Sequence, residues 1–151
     1  MKYGGIKAGA PQLGDLLADY LNDNPLRGEI IAPVPMHSRR LRERGYNQAE
    51  LLARRVAAQS ELSYERDLLF RTRQVEPQAG IGSAAQRTVN VAGSIGVSAD
   101  RDVSGARVIL VDDVATTGST LETCAGALKQ AGAVSVWCLT LAVAGGESLA
   151  E

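Results

Sequence analysis

The chain has little of several residue types that often carry a function by themselves. Its 151 residues include one histidine, two cysteines, one tryptophan and one phenylalanine, and the formal net charge is −1. Cys124 and Cys138 are too few and too far apart to form a zinc site, so we expect both to be small, buried apolar residues in a reducing compartment. With aromatic residues at 4% and nearly balanced charge, the composition disfavours direct nucleic-acid binding.

Long apolar runs are also missing. The longest, near 108–111 and 136–144, end well before the roughly 20 residues that a membrane helix needs. The first residues, MKYGGIKAGAPQ, lack the apolar core of a signal peptide, so we expect a cytoplasmic protein without membrane association. Apolar residues at 45% and charged residues at 22% are typical of soluble globular proteins. The length favours one domain over residues 1–151.

One segment carries most of the functional information. Residues 108–120 read VILVDDVATTGST, which is an apolar run, two acids and a small hydroxyl-rich turn. The β-branched residues favour a strand buried on both faces of a parallel sheet. Asp112 and Asp113 are then predicted to lie at its C-terminal end, where open α/β sheets bind ligands. Paired carboxylates there suit the diol of a ribose or its bound Mg²⁺.

The turn after the acids suits an anion. A glycine in it can adopt a φ that other residues resist. The N–H groups and dipole at the start of the next helix favour negative charge, and the hydroxyls are further donors. We therefore predict a 5′-phosphate site at Ala115, Thr116, Thr117, Gly118, Ser119 and Thr120. A plain capped helix is the alternative, but it explains neither the doubled acid nor the run of small polar residues.

This segment resembles the phosphoribosyl-pyrophosphate (PRPP) motif of the type I phosphoribosyltransferases, which is an apolar strand, two acids, a variable pair, and Thr-Gly with a small hydroxyl residue. The resemblance implies an α/β fold with an open, mostly parallel central sheet flanked by helices. It also implies PRPP or a ribose 5-phosphate-type ligand, with Mg²⁺ held near Asp112 and Asp113 through ribose hydroxyls or water.

The remaining pattern agrees with such a sheet, because strands alternate with helices along the chain. Apolar spacing predicts helices near 11–22 and 48–58, the first within an N-terminal helical segment, 1–25, that packs on the domain. Strands are predicted at 29–34 and 134–143, and a helix at 119–131 that Gly132 ends. Short strands are possible at 68–70 and within 89–97. Trp137, in the last strand, is interpreted as a core residue.

A second segment is strongly basic. Residues 34–48, VPMHSRRLRERGYNQ, hold four arginines within six positions. A solvated helix face is the ordinary interpretation of such a run. In a parallel sheet, however, this loop leaves the same edge as the acids, and arginine binds phosphate oxygens bidentately. We therefore predict pyrophosphate-binding residues here, with a surface role as the alternative for the histidine: His37, Arg39, Arg40, Arg44 and Gly45.

The string PVPMHSRRLRERGYNQAELLA, with Lys2-Tyr3 upstream and Pro77-Gln78, Arg87, Asn90 and Gly93 downstream, is similar to the ComF/GntX branch of phosphoribosyltransferase-like proteins. That resemblance implies partners in competence, DNA uptake or DNA processing. The wider superfamily implies a homodimer and a mobile lid, which would fall at 71–90 with Arg71, Arg73 and Arg87. Many members carry an N-terminal zinc ribbon of paired cysteines before the Lys-Tyr segment. This chain starts after that point, so it is either a short member or a part of a longer protein.

Three functions stay open at this stage. The first is an enzyme that displaces pyrophosphate from C1 of the ribose with a nitrogen nucleophile. The second is a non-catalytic PRPP sensor or protein-interaction module. The third, single-stranded DNA binding through the arginine loop, is weakened by the scarcity of aromatic residues. The sequence shows no added segment that would form a nucleobase pocket, so the acceptor is undetermined.

Overall fold

A computed structural model of the protein describes residues 4–72, 95–115 and 117–143, with the helical backbone alone for 4–8. Four helices and six strands occur in these ranges. In chain order they are α1 (Gly4–Asp23), β1 (Ile30–Pro33), α2 (Ser38–Arg44), α3 (Gln48–Ala58), β2 (Ser63–Tyr64), β3 (Leu69–Arg71), β4 (Ile95–Val97), β5 (Arg107–Ala115), α4 (Ser119–Gln130) and β6 (Ser135–Val143).

Four of the strands form one parallel sheet in the order β2-β1-β5-β6. β3 and β4 pair antiparallel in a separate two-stranded ribbon. Helices cover both faces of the larger sheet. This arrangement confirms the predicted fold class, an open and mostly parallel α/β sheet.

The core lies on both faces of β5. Successive side chains of a strand point to opposite faces, so Val108 and Leu110 pack in the cluster that contains α4 residues. Ile109 and Val111 pack in the cluster built from α1 and α3. All four are 0% exposed, which explains why this strand carries an uninterrupted apolar run.

β5 is longer than the sequence predicts, and this changes the place of the acids. The strand continues through both aspartates to Ala115, so Asp112 and Asp113 lie within it rather than beyond its end. The extension exists because β6 keeps pairing with it: Asp112 lies opposite Thr140, and Val114 lies opposite Ala142.

Two expectations about β6 are wrong. Trp137 is 47% exposed and Cys138 is exposed, although both were predicted to be buried. Among the described strands, β6 lies at the edge of the sheet and pairs with β5, so its side chains meet less covering structure from the described residues. Cys124, on α4, is buried as predicted.

Other predicted elements agree within a few residues, α3 among them. The first helix is longer than predicted and contains Pro11. The arginine loop contains α2, which was not predicted, and β2 has two residues only. No helix in the described part of the chain is long and apolar enough to cross a membrane.

Candidate active site

The acid pair and the arginine segment meet at the C-terminal edge of the sheet. Here "arginine segment" means residues 34–47. β1 and β5 are neighbours, with Pro33 opposite Val111, and the Val34 N–H donates to the Val111 carbonyl at 2.9 Å. The segment therefore leaves the sheet directly beside Asp112. The sequence predicts this juxtaposition from parallel topology alone.

The two carboxylates are partly buried and close together. The Asp113 N–H donates to Asp112 Oδ1 at 2.9 Å, and the Val114 N–H donates to Asp113 Oδ1 at 2.8 Å. Burial, followed by the neighbouring Asp113 carboxyl, raises the pKa of Asp112 to about 7, although the backbone N–H of Asp113 and the Arg71 charge oppose the rise. Two negative charges at this spacing disfavour each other, so the pair favours a cation or hydroxyl donors beside it.

The predicted phosphate turn forms the start of α4. Gly118 precedes the helix with φ 80°, and an added Cβ there would meet nothing within 4 Å, so the backbone angle rather than space favours glycine. The Ser119 N–H donates to Thr117 Oγ1 at 3.3 Å. The N–H groups of the next residues have no partner within the helix, by α-helical geometry.

A small open cavity joins this turn to the acid pair. Its lining combines one acid, the described turn residues and the first residues of α4: Asp112, Val114, Ala115, Thr117, Gly118, Ser119, Thr120 and Leu121. Thr116, a predicted phosphate ligand, lies outside the described residues. The described part of the turn thus lines the same space as Asp112.

The arginines of the second segment divide into two groups. α2 places Arg39 and Arg40 in solvent, and Arg39 has a 3.5 Å ion pair with Glu43. Arg44 is partly buried, and its Nη1 donates to Gln48 Oε1 at 2.9 Å. Residues 40 and 44 are one turn apart and share a side of the helix, so they can act on one ligand.

The ends of this segment differ in their backbone. His37 precedes α2 with an exposed side chain and makes no capping bond. Gly45 ends α2 in the left-handed conformation with φ 82°. A left-handed glycine is a common way to terminate a helix, so Gly45 has a structural role apart from any contact with phosphate.

Three polar side chains attach the segment to the protein, and sequence reasoning missed two of them. Asn47 Nδ2 donates to the Val34 carbonyl at 3.0 Å, while its Oδ1 accepts from the Ala49 N–H and caps α3. Arg71 Nε donates to the Pro35 carbonyl at 3.0 Å. Gln48, the partner of Arg44, is only 4% exposed. Asn before an amphipathic run is a cap signal, but nothing in the sequence marks Gln48.

The predicted lid is described only at its beginning. Arg71 belongs to β3 and is partly buried. Arg73 and Arg87 lie outside the described residues, as do Lys2 and Tyr3.

Asp112 and Asp113 are the residues that we predict to hold a metal ion. No group of three or more histidine, cysteine, aspartate or glutamate side chains in the described ranges is arranged to hold one. Mg²⁺, however, usually takes one or two protein carboxylates and completes its shell with water and phosphate oxygens. Asp112 and Asp113 fit that donor set, and the charge conflict between them favours a cation.

The family relationship is independent of this geometry. Residues 41–150 match the family described as the phosphoribosyl transferase domain, a range that includes most of α2, both acids and the turn. The chain belongs to the phosphoribosyltransferase family. Among curated relatives, this phosphoribosyltransferase domain is 34% identical over 117 residues to competence protein F of Haemophilus influenzae, covering 76% of this chain and 51% of that protein. It is 36% identical to DNA utilization protein YhgH of Salmonella typhi, covering 76% and 50%.

These matches confirm the ComF resemblance, and the chain spans about half the length of the curated relatives that it matches. Solved structures confirm the fold. Glutamine PRPP amidotransferase from B. subtilis, complexed with ADP and GMP, superposes with a TM-score of 0.62 and 21% identity over 88% of this chain and 26% of that one. A purine phosphoribosyltransferase from Pyrococcus horikoshii gives 0.50 and 17%, over 87% and 70%.

Proposed function

We propose that the protein binds PRPP across the acid pair, with the 5′-phosphate at 115–120 and the diphosphate toward the arginine segment. The observation that carries this proposal is the pairing of β1 with β5. Val34, at the start of the arginine segment, is bonded to Val111, and the next residue of β5, Asp112, lines the cavity at the turn. An anion site on one side and arginines on the other match a ribose that carries phosphate at C5 and diphosphate at C1.

The acids have two roles in this proposal. Their carboxylates accept hydrogen bonds from the ribose hydroxyls, and they favour positive charge on the sugar ring. Asp112 and Asp113 would also hold Mg²⁺, through water or through the ribose oxygens. When bound, Mg²⁺ neutralises part of the diphosphate charge.

The reaction that fits this site is transfer of the phosphoribosyl group to a nitrogen nucleophile. The bond from C1 to the diphosphate oxygen breaks, that oxygen keeps the electron pair, and the nucleophile forms the new C1–N bond and loses a proton. Positive charge develops on the sugar, and negative charge grows on the leaving group near the arginine segment. One of the two carboxylates, Asp112 or Asp113, is suited to accept that proton.

Asp113→Asn tests the ligand site. It keeps the shape of the side chain but removes a charge that we assign to ribose and Mg²⁺, so we expect PRPP affinity to fall about tenfold, consistent with the strength of a hydrogen bond to a charged group. Titration calorimetry with PRPP and Mg²⁺ measures this. Asp100→Asn, at an exposed acid between β4 and β5, is the matched control. Equal PRPP affinity in Asp113→Asn and the unmodified protein would count against the site.

A second candidate is a non-catalytic PRPP sensor or interaction module that serves competence or DNA processing. The names of the relatives, competence protein F and DNA utilization protein, favour it. Pyrophosphate release with any member of a panel of nucleobases and amines favours the enzyme, whereas PRPP binding without release favours the sensor. A cytoplasmic location, predicted from the sequence, and a homodimer, implied by the family resemblance, belong to either candidate. Light scattering tests the dimer.

A further inference from the structure

The two edges of the parallel sheet differ in their protection against pairing with another strand. Among the described strands, β6 is bonded to β5 alone, and its nine residues, SVWCLTLAV, include no charged residue and no proline. At the opposite edge, β2 has two residues and is followed by Glu65, Arg66 and Asp67. Natural edge strands are commonly short, charged or interrupted by proline, because free N–H and C=O groups otherwise pair with another strand.

The outer side of β6 offers backbone hydrogen-bonding groups. Val111 directs its backbone groups to β1, to which it is bonded through Val34. Its register partner on β6 is Leu139, which in a parallel ladder directs its own groups back to β5 on both sides of Val111. The neighbouring Cys138 and Thr140 therefore direct their N–H and C=O groups away from β5.

The flank of α1 above this edge is apolar as well. α3 packs on β1 and β5, whereas α1 packs on β6. Gly14 faces α3, because a Cβ added to it would meet the Arg55 side chain at 2.5 Å. By helical spacing, about 3.6 residues per turn, Leu16 and Tyr20 lie on the flank of α1 that is turned away from α3. That flank is on the outer side of β6.

Two side chains of β6 lie on the same side of the sheet as α1. Trp137 and Val143 alternate in step with Leu139, which packs in the cluster built from α1 and α3, so all three share a face. With the two α1 residues they form what we call the edge surface: Leu16, Tyr20, Trp137 and Val143, each between 47% and 60% exposed. Exposed apolar groups that include tryptophan and tyrosine are typical of protein interfaces.

We propose that the edge surface is the contact between two copies of this chain, with β6 of each copy pairing antiparallel to β6 of the other. A two-fold axis lets each strand both donate and accept at its outer side. It also brings two uncharged strands and two apolar flanks together without a charge conflict. No residue of β6 lines the cavity at the turn, so the pairing leaves that cavity open. The inference locates the interface of the proposed homodimer and does not depend on PRPP binding.

Light scattering over a dilution series tests the apolar contact. We expect the mass of two chains for the unmodified protein, and a dimer dissociation constant at least about 30-fold higher in Trp137→Glu and in Tyr20→Glu, as for buried aromatic residues at interface centres. Phe70→Glu, at an aromatic residue of β3 with the same 47% exposure as Trp137, is the matched control. Tyr20→Glu lies on a helix surface, so it still tests the contact if Trp137→Glu fails to fold.

Crosslinking tests the strand pairing. Cys138 is exposed, whereas Cys124 is buried. In an antiparallel pair centred on Leu139, the middle residue of β6, the Cys138 side chains of the two copies are diagonal neighbours, roughly 7–8 Å apart between Cα atoms. A short bismaleimide should therefore join two chains of the unmodified protein, and Cys138→Ser should abolish the product.

Three results would overturn this interface. They are a single-chain mass for the unmodified protein, which would mean that another part of the chain or another protein covers the surface, a dimer that both glutamate variants leave intact, and a dimer that Cys138 does not crosslink. Calorimetry with PRPP and Mg²⁺ on the same samples keeps the two proposals apart. An unmodified protein that dimerises through β6 but binds no PRPP would contradict the proposed function and leave the interface standing.

Discussion

Asp112 carries an electrostatic conflict. Its carboxyl is partly buried beside Asp113, and its pKa is raised from 3.8 to about 7 although the Asp113 N–H and the Arg71 charge oppose the rise. An acid whose pKa is higher in the folded state than in the unfolded state binds its proton more tightly when folded. Its stabilising contribution is therefore complete below about pH 3.8 and is lost as the pH rises through 7. At neutral pH this loss of stability is offset, in our proposal, by the fit of a charged carboxylate pair to the ligand.

Asp112→Asn should therefore stabilise the free protein at alkaline pH. The amide keeps an oxygen for the Asp113 N–H but carries no charge. A shift of this size corresponds to at most about 4 kcal/mol, and each kcal/mol raises the melting temperature of a domain this size by roughly 2–4 °C. Thermal unfolding at pH 8 and at pH 4 measures the gain, which should shrink at pH 4. A gain that is the same at both pH values would show that burial of charge is not its cause.

At the scale of elements, the arginine segment depends on Asn47. Asn47 is the last residue of the segment, and its side chain donates to the carbonyl of the first residue, Val34. The same side chain also caps α3. Within the segment, α2 has no buried residue, so packing contributes little to the position of that helix. The buried Val34 and Tyr46 and the side-chain bonds of Asn47 at the ends of the segment therefore restrain where the arginines lie.

Two substitutions separate these roles of Asn47. Asn47→Ala should lower the free energy of unfolding by about 1 kcal/mol through loss of the cap and weaken pyrophosphate binding. Asn47→Ser keeps a capping oxygen but cannot reach Val34, so it should stay near normal stability and still bind pyrophosphate several-fold more weakly. Urea unfolding and calorimetry measure the two quantities. Asn24→Ala, which removes an exposed hydrogen bond at the end of α1, is the control. Normal pyrophosphate binding in Asn47→Ser would show that the Asn47–Val34 bond does not position the arginines.

Local pattern also explains which elements the sequence could predict. β5 could be predicted because a strand buried on both faces has a continuous apolar run. α3 could be predicted because a helix buried on one face has apolar residues at helical spacing. α2 and β2 leave no such pattern, because α2 buries nothing and β2 pairs through two residues only. The acids and the turn could be placed from residue chemistry, whereas the Arg71–Pro35 bond depends on tertiary packing that no local signal reports.

At the scale of the whole molecule, the parallel sheet brings together segments that are far apart in the chain. The arginine segment and the turn at 115–120 are separated by about half of the sequence, yet both begin at the C-terminal edge of neighbouring strands. Ligands commonly bind at this edge of open α/β sheets. The two segments are therefore expected to respond together to a ligand that spans them and separately to its halves.

Hydrogen exchange with three ligands tests this expectation. With Mg²⁺ and PRPP, we expect slower amide exchange both in residues 117–121 and in the arginine segment, because each would lose solvent-exposed N–H groups to the ligand. Ribose 5-phosphate should protect mainly the turn, and pyrophosphate mainly the arginine segment. Residues 60–64, at the opposite edge of the sheet, are the internal control. If PRPP protected only the turn, the arginine segment would not belong to this site, and its exposed arginines would serve another partner.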